Sequence, residues 1–316
     1  MGENTKISWP HHTFNPVRGC EHESPGCDNC YAESGTKRFG LQLWGPTNPR
    51  LRTSKENWKK PTKWNEEARK TNTRFRVFCA SQSDVGEDHP DWIEARRDLA
   101  RLIEETQHLD WLLLTKRPQN MRRLFSDAGW TALWPENVWV GATVENPDVL
   151  ENRILELVQI PARVRFLSLE PLLGPLEIGL VGTLPGSVTG GAYVPVSSMI
   201  HWVIVGGESG PRARTFDLQW ARQLRDECAL SETPFFFKQT GQNAIDSSLV
   251  DIDLGNEKLT LSVDAANDPK YNDYIKIPHK VNTKKTAGTD PAMWPEDLRI
   301  QQLVRWILDA RSRKSA

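Results

Sequence analysis

The sequence predicts an α/β barrel built from βαβ units and interrupted by two insertions. Three observations carry that reading. Six short apolar runs recur from residue 76 onward, nearly continuous rather than alternating, as in parallel strands buried on both faces. Amphipathic segments of helical period separate them. Polar residues stand at the C-terminal end of nearly every run. A barrel gathers such ends at one mouth, whereas an open doubly wound sheet brings only a couple of them to its crevice.

The elements follow in order. "RVFCAS" (76–81) is the first run and leads into Ser81-Gln82-Ser83-Asp84. The segment 90–107 places Ile93, Leu99, Leu102 and Ile103 at helical spacing. "DWLLLTK" (110–116) ends on Thr115-Lys116-Arg117, and "NVWVGATV" (137–144) leads through Thr143 to Glu145 and Asn146. A helical pattern over 146–160 precedes "ARVRFLSLE" (162–170), which closes on Glu170. "HWVIVGGES" (201–209) carries Gly206, Gly207 and Glu208; a helix over 217–231 then leads to "TPFFFKQ" (233–239), ending in Lys238-Gln239. Residues 179–200, rich in Gly, Ser and Val, read as an insertion or lid within a barrel domain spanning 1–243. Residues 244–290 read as a polar β-hairpin excursion, and 291–316 as a segment whose helical period over 296–314 docks on the barrel.

Composition narrows the class. A hydrophobic content of 38% with 26% charged residues is that of a globular domain, and no apolar run reaches the eighteen or so residues of a membrane span. The first residues lack the apolar core of a signal peptide, and five cysteines are an odd number. Both point to a reducing cytoplasm rather than a disulfide framework. A net charge of −1 gives no sign of nucleic acid, but its distribution does. Residues 50–76 hold ten Lys/Arg against three Glu, with Trp58 and Trp64 interleaved. That pattern suits a phosphate backbone with stacked bases, or else a solvated helix and linker.

Three of the cysteines, Cys20, Cys27 and Cys30, fall in one short loop just before a helix that begins near Tyr31. A structural zinc site needs four ligands, and His22, His11 or His12 would have to complete it. The alternative is a cubane iron–sulfur cluster on three cysteines, leaving one iron open.

The order Asn15-Pro16-x-Arg18-Gly19-Cys20-Glu21-His22, followed by Cys27-x2-Cys30-Tyr31-Ala32, resembles the cluster loop of radical S-adenosylmethionine (radical SAM) enzymes. Its nearest likeness is to the spore photoproduct lyase-like branch. Three extra residues separate the first two cysteines. In this the chain is similar to a phage and prophage family with the same "SPGC-x-x-CYA" loop. "LLLTKRP", "GATVEN", "LSLEPLLGP", "VIVGGESGP", "FFFKQTG" and "WPEDLR" look like that family's pattern in the same order.

The resemblance implies a partial (β/α)6 barrel, a 4Fe-4S cluster on Cys20, Cys27 and Cys30, and S-adenosylmethionine (AdoMet) on the open iron. It also implies an external electron donor of flavodoxin or ferredoxin type. Ser81, Ser83 and Asp84 become candidates for the AdoMet ammonium, and Thr143, Glu145, Asn146 and Glu170 for its ribose and carboxylate. Gly206, Gly207 and Glu208 are candidates for adenine, and Tyr31 belongs to the same cofactor set. Lys116, Arg117 and Lys238, with Gln239, are expected to bind substrate phosphate or carboxylate, unless they form salt bridges with Glu145, Glu170 or Glu208. Cys79 is a candidate hydrogen-atom donor, with a core role as the alternative; Cys228 is expected to be filler. The expected activity is modification, isomerisation or repair of a nucleobase in DNA or a nucleotide, with Trp58 and Trp64 as stacking surfaces. The alternatives are a radical SAM enzyme on a small molecule or peptide, and a zinc-stabilised nucleic-acid-binding protein without catalysis.

Overall fold

Seven parallel strands form the main sheet of the computed structural model, which describes residues 3–253, 258–267, 269, 276–281 and 288–304. They are β1 (His12–Thr13), β2 (Phe75–Cys79), β3 (Leu109–Thr115), β4 (Val138–Thr143), β5 (Val164–Leu169), β6 (Trp202–Gly206) and β7 (Phe235–Gln239). Every strand lies beside its predecessor, parallel throughout. With no reversal of strand order, the sheet winds one way and its twist curls it into a half-barrel. The pairing path ends at β1 and β7, so the barrel is partial. The two-residue β1 is one strand more than the apolar runs announced.

Helices α1 (Tyr31–Lys37), α2 (Lys60–Lys70), α3 (Trp92–Glu105), α4 (Pro118–Ser126), α5 (Pro147–Val158) and α6 (Leu218–Leu230) occupy the crossovers. Proline in the first turn of α2, α4 and α5 removes a donor that has no helical partner there. The buried stripe of α3 is Trp92, Ala95, Leu99, Leu102 and Ile103; Ile93, expected within it, is exposed.

Although the strand runs look continuous, their side chains separate into two apolar layers with period two. Val77, Cys79, Trp111, Leu113, Val140, Leu167, Val203 and Phe237 face the helices. Phe78, Leu112, Trp139, Phe166, Trp202, Ile204 and Phe236 face inward, joined by Trp9. Trp9 packs 4.6 Å from Phe78 and 6.3 Å from Trp202 between ring centroids, plugging the barrel. Gly141 is required by this plug, because a Cβ there would lie 2.3 Å from the Phe166 ring.

The insertions correct part of the expectation. Residues 179–200 fold as a small hairpin, Thr183–Leu184 with Val194–Pro195, and two single helical turns. Leu180, Leu184, Val196 and Ile200 join the outer layer, so the segment is packing rather than a lid. The polar excursion is larger than a hairpin. Strands β8 (Ala244–Asp253), β9 (Lys258–Ser262) and β10 (Lys276–Lys280) form a second sheet with Phe216–Asp217. Arg222, paired with Asp246 and Asp297, ties it to α6.

The helix expected over 296–314 is absent from its described part. One turn, Glu296–Leu298, gives way to an extended segment that bonds Phe237 N to Ile300 O and Gln302 N to Phe235 O. That segment covers the free edge of β7 and carries Val304 into the barrel plug, so edge pairing outcompetes the helical period. Residues 305–314 of the expected helix lie outside the described residues.

Candidate functional site

A cavity of about 600 Å³ lies at the C-terminal ends of the strands. Its apolar side is Trp9, Phe78 and Leu114; its opposite wall is the loop carrying Cys20, Cys27 and Cys30, all three of which line it. Gly19, at φ +108°, turns the chain where a Cβ would strike Leu43 O at 2.5 Å, and its N–H donates to Gln82 O at the end of β2. Cys20 then bonds backbone to backbone with Leu43 and Gly45. A 3-10 turn, Pro25–Cys27, delivers Cys27, and Cys30 takes the N-cap position of α1. Asn15 ties the start of the loop to the end of β2, bonding the Ser81 side chain and the Gln82 N–H.

Three carboxylate–arginine pairs hold this loop to the barrel, and in each a residue expected to meet cofactor or substrate is bound to a protein partner. Glu145, fully buried, pairs with Arg153 at 2.6 Å and accepts Gly26 N–H at 3.4 Å. Glu208 pairs with Arg214 at 2.6 Å and accepts from Asn29, while Arg214 also reaches Asp28 and Pro25 O. Burial opposes the charged form of Glu208, but the bonds from Arg214 and Asn29 outweigh it and hold the carboxyl below its ordinary value.

The third pair joins Asp84 to Arg117. Asp84 accepts from Gly86 N–H, Thr115 Oγ1, Lys116 N–H and Arg117 Nη1, which leaves it no capacity for an ammonium ligand. Arg117, expected to meet substrate, lines the cavity but bonds to the loop. It reaches Glu23 at 2.9 Å, Glu21 O at 2.9 Å and Cys20 Sγ at 3.8 Å. All the residues between Cys20 and Cys27 that make these contacts belong to the lengthened spacing.

Asp84, Arg117 and Glu208 border the cavity, and so do other expected residues. Thr143 and Ser168, buried as residues, line it, and their hydroxyls make no hydrogen bond among the described residues. Glu170 and Lys238 meet there as an ion pair, with Lys238 Nζ on both carboxylate oxygens, 2.5 Å from Oε2, and Gln239 Nε2 on Oε1 at 3.0 Å. Of the salt bridges weighed from sequence, Lys238 with Glu170 is the one that forms. Lys116 lines the cavity and pairs with no carboxylate among the described residues. Tyr31 donates to Ser81 O at 2.9 Å, and Ser81 and Ser83 border the cavity, the latter donating to Val17 O. Gly206 and Gly207 lie outside its wall. Their missing side chains admit Gln239 and the Thr240 carbonyl, 3.2 and 2.3 Å from the virtual Cβ atoms. Asn146 also lies outside, as the N-cap position of α5.

The aromatic expectation is corrected. Trp64 is 1% exposed and stacks on His12 at 4.3 Å, so it offers no face to a base. Trp58 is half-buried, edge-on to Phe14 and covered by Arg52. Within the basic stretch Arg50 is buried on Glu87 and Arg74 pairs with Asp110. Exposed Lys55, Lys59, Lys63 and Lys70 remain. Cys79 belongs to the outer layer, away from the cavity, so it cannot return a hydrogen atom to a ligand there; Cys228 is buried in the same layer.

Sequence reasoning missed Arg153, Arg214, Asn29 and Ser168. Only Ser168 had a signal: it shares the inward register of Phe166 and Glu170, two residues to either side.

The three thiols are the donor set that the resemblance would assign to a metal centre. Burial, then the charges of Asp84 and Glu87, push the Cys20 thiol up, with Arg117 opposing; burial also raises Cys30. Such thiols lose their protons to a bound metal. Among the described residues no group of three or more His, Cys, Asp or Glu is arranged to hold a metal ion. Of the three histidines that could complete a zinc site, His22 lines the same cavity as the thiols, whereas His11 and His12 do not. His22 lies on Asp28 at 2.7 Å, His11 accepts Arg76 N–H at 2.8 Å, and His12 is stacked on Trp64.

No helix among the described residues is long and apolar enough to cross a membrane. No curated protein sequence matches the chain. A solved structure of a spore photoproduct lyase mutant with bound AdoMet and dinucleoside spore photoproduct aligns with a TM-score of 0.41 at 11% identity. The alignment covers 65% of this chain and 58% of that one, so the chain spans less than two thirds of that protein's length. A family model described as "Protein of unknown function (DUF5131)" matches residues 4–294, and the chain belongs to that family.

Proposed function

We propose that the chain is a radical SAM enzyme whose Cys20, Cys27 and Cys30 hold a 4Fe-4S cluster with one iron open to AdoMet. The observation that carries the reading is the placement of three thiols from one clamped loop on the wall of a cavity at the barrel mouth. When bound, cluster and cofactor supply one-electron reductive cleavage of the sulfonium to methionine and a 5′-deoxyadenosyl radical, the electron coming from a flavodoxin- or ferredoxin-type donor. The chain's own residues position and shield. Thr143 and Ser168 offer hydroxyls without a hydrogen-bond partner among the described residues, suited to ribose or carboxylate oxygens. Trp9, Phe78 and Leu114 exclude water from beneath. Lys116 offers a positive charge to an anionic group.

The proposed reaction is modification, isomerisation or repair of a nucleobase. Burial of Trp64 removes one of the two stacking surfaces a polymer would have used. That observation favours a free nucleotide, or another small anionic molecule, over duplex DNA. The test is anaerobic incubation of the reconstituted protein with AdoMet and dithionite, with nucleotides, DNA or neither. 5′-Deoxyadenosine formation supports the enzyme, and its absence from protein with a full cluster refutes it. Stimulation by nucleotides but not by DNA supports the small-substrate reading, and the reverse result refutes it.

A further inference from the structure

We infer that Arg117 sets the reduction potential of the cluster by holding a fixed positive charge against the sulfur of Cys20. The inference rests on the cluster reading above. Arg117 is 6% exposed, and each nitrogen of its guanidinium is committed: Nε to Glu23, Nη2 to Glu21 O, and Nη1 shared between Asp84 and Cys20 Sγ at 3.8 Å. A side chain bonded at both ends of its fork has no freedom to leave when the cofactor binds.

The Asp84 turn explains how the charge is held. Thr115 and the Lys116 N–H fix the carboxylate, while Gly86 lets the turn pass the strand end. A Cβ on Gly86 would meet Thr115 Oγ1 at 2.4 Å and Arg117 O at 2.7 Å. The stretch after β2 that looked like an ammonium-binding loop is therefore scaffolding for an arginine. Hydrogen bonds and charge at cluster sulfurs tune the potential. Reduction adds one electron from the external donor and breaks no bond. A cation at the ligand sulfur stabilises the added negative charge and shifts the potential upward. Arg117 acts through Cys20, so it is a positioning residue.

The test compares wild type, Arg117→Lys and Arg117→Gln after anaerobic reconstitution. Iron, sulfide and circular dichroism are measured first, followed by spectroelectrochemical titration of the cluster without AdoMet. Arg117→Gln should shift to a lower potential by at least a tenfold change in the reduced-to-oxidised ratio, which is 59 mV for one electron. Arg117→Lys should lie closer to wild type. Loss of the cluster from Arg117→Gln alone, with the fold retained, also supports a requirement for charge. Equal potentials in all three proteins overturn the inference while leaving the cluster reading intact, as does loss of the cluster from both variants. A wild type that takes up no cluster overturns the reading and the inference together.

Discussion

Removing Arg153 should destabilise the protein severely, because it strands Glu145. Side-chain exposure is 5% for Arg153 and 0% for Glu145, and they meet at 2.6 Å; Arg153 also donates to the Thr143 carbonyl at 2.8 Å. Replacing arginine with methionine keeps an unbranched side chain but leaves a buried carboxylate without its ion-pair partner and removes a donor from the Thr143 carbonyl. Breaking a buried pair this way costs about 3–5 kcal/mol, whereas a solvated pair is worth only about 0–1 kcal/mol. Glu145→Gln in the same chain removes the stranded charge while keeping an acceptor for the Gly26 N–H, so the double variant should recover much of the loss. Urea titration of wild type, both single variants and the double variant gives the cycle, and iron uptake reports on the loop that Glu145 holds. A loss below about 1 kcal/mol in Arg153→Met would refute the reasoning. It would mean that Glu145 is hydrated through the cavity, where a cofactor role for it would again be tenable.

Other perturbations have equally definite outcomes. Alanine at Cys20, Cys27 or Cys30 should abolish iron–sulfur uptake, while Cys228→Ala and Cys79→Ala should retain it; absorbance near the cluster band after reconstitution decides. Gly141→Ala drives a methyl into the Phe166 ring and should cost about 1–3 kcal/mol by overpacking, read from the urea midpoint. Burial and the Arg165 charge bring the His201 imidazole down to about 4, and burial with Arg76 does the same at His11. Folded-state values below the ordinary 6.5 mean that stability present above pH 6.5 is lost as pH falls toward 4. His201→Gln should flatten that slope by up to one proton in a series of urea titrations, and an unchanged slope would exclude the assignment.

Much of the barrel was readable because strand type and strand-end polarity are local properties. The six apolar runs became β2 to β7, and the polar residues after them converge on one mouth. The two-residue β1 had no pattern to show, and over 299–304 the helical period lost to the pull of an unpaired β7 edge. Burial of Trp64 was legible after all: Pro61, Trp64 and Ala68 are spaced as one helix face, and all three are buried. Less legible was the direction of the mouth carboxylates. Glu145, Asp84 and Glu208 stand where a cofactor could meet them, yet each is used by an arginine. Residue type at a strand end tells that charge is present, and only packing decides whether it faces a ligand or a loop.

Metal analysis of the anaerobically purified protein tests the central claim most directly. Iron, acid-labile sulfide and zinc are measured in wild type and in Cys20→Ala, Cys27→Ala and Cys30→Ala, with AdoMet turnover under dithionite on the same samples. The expected result is a brown protein with about four irons per chain that cleaves AdoMet, both properties being lost with any one of the three cysteines. A colourless wild type carrying zinc and no iron would contradict it.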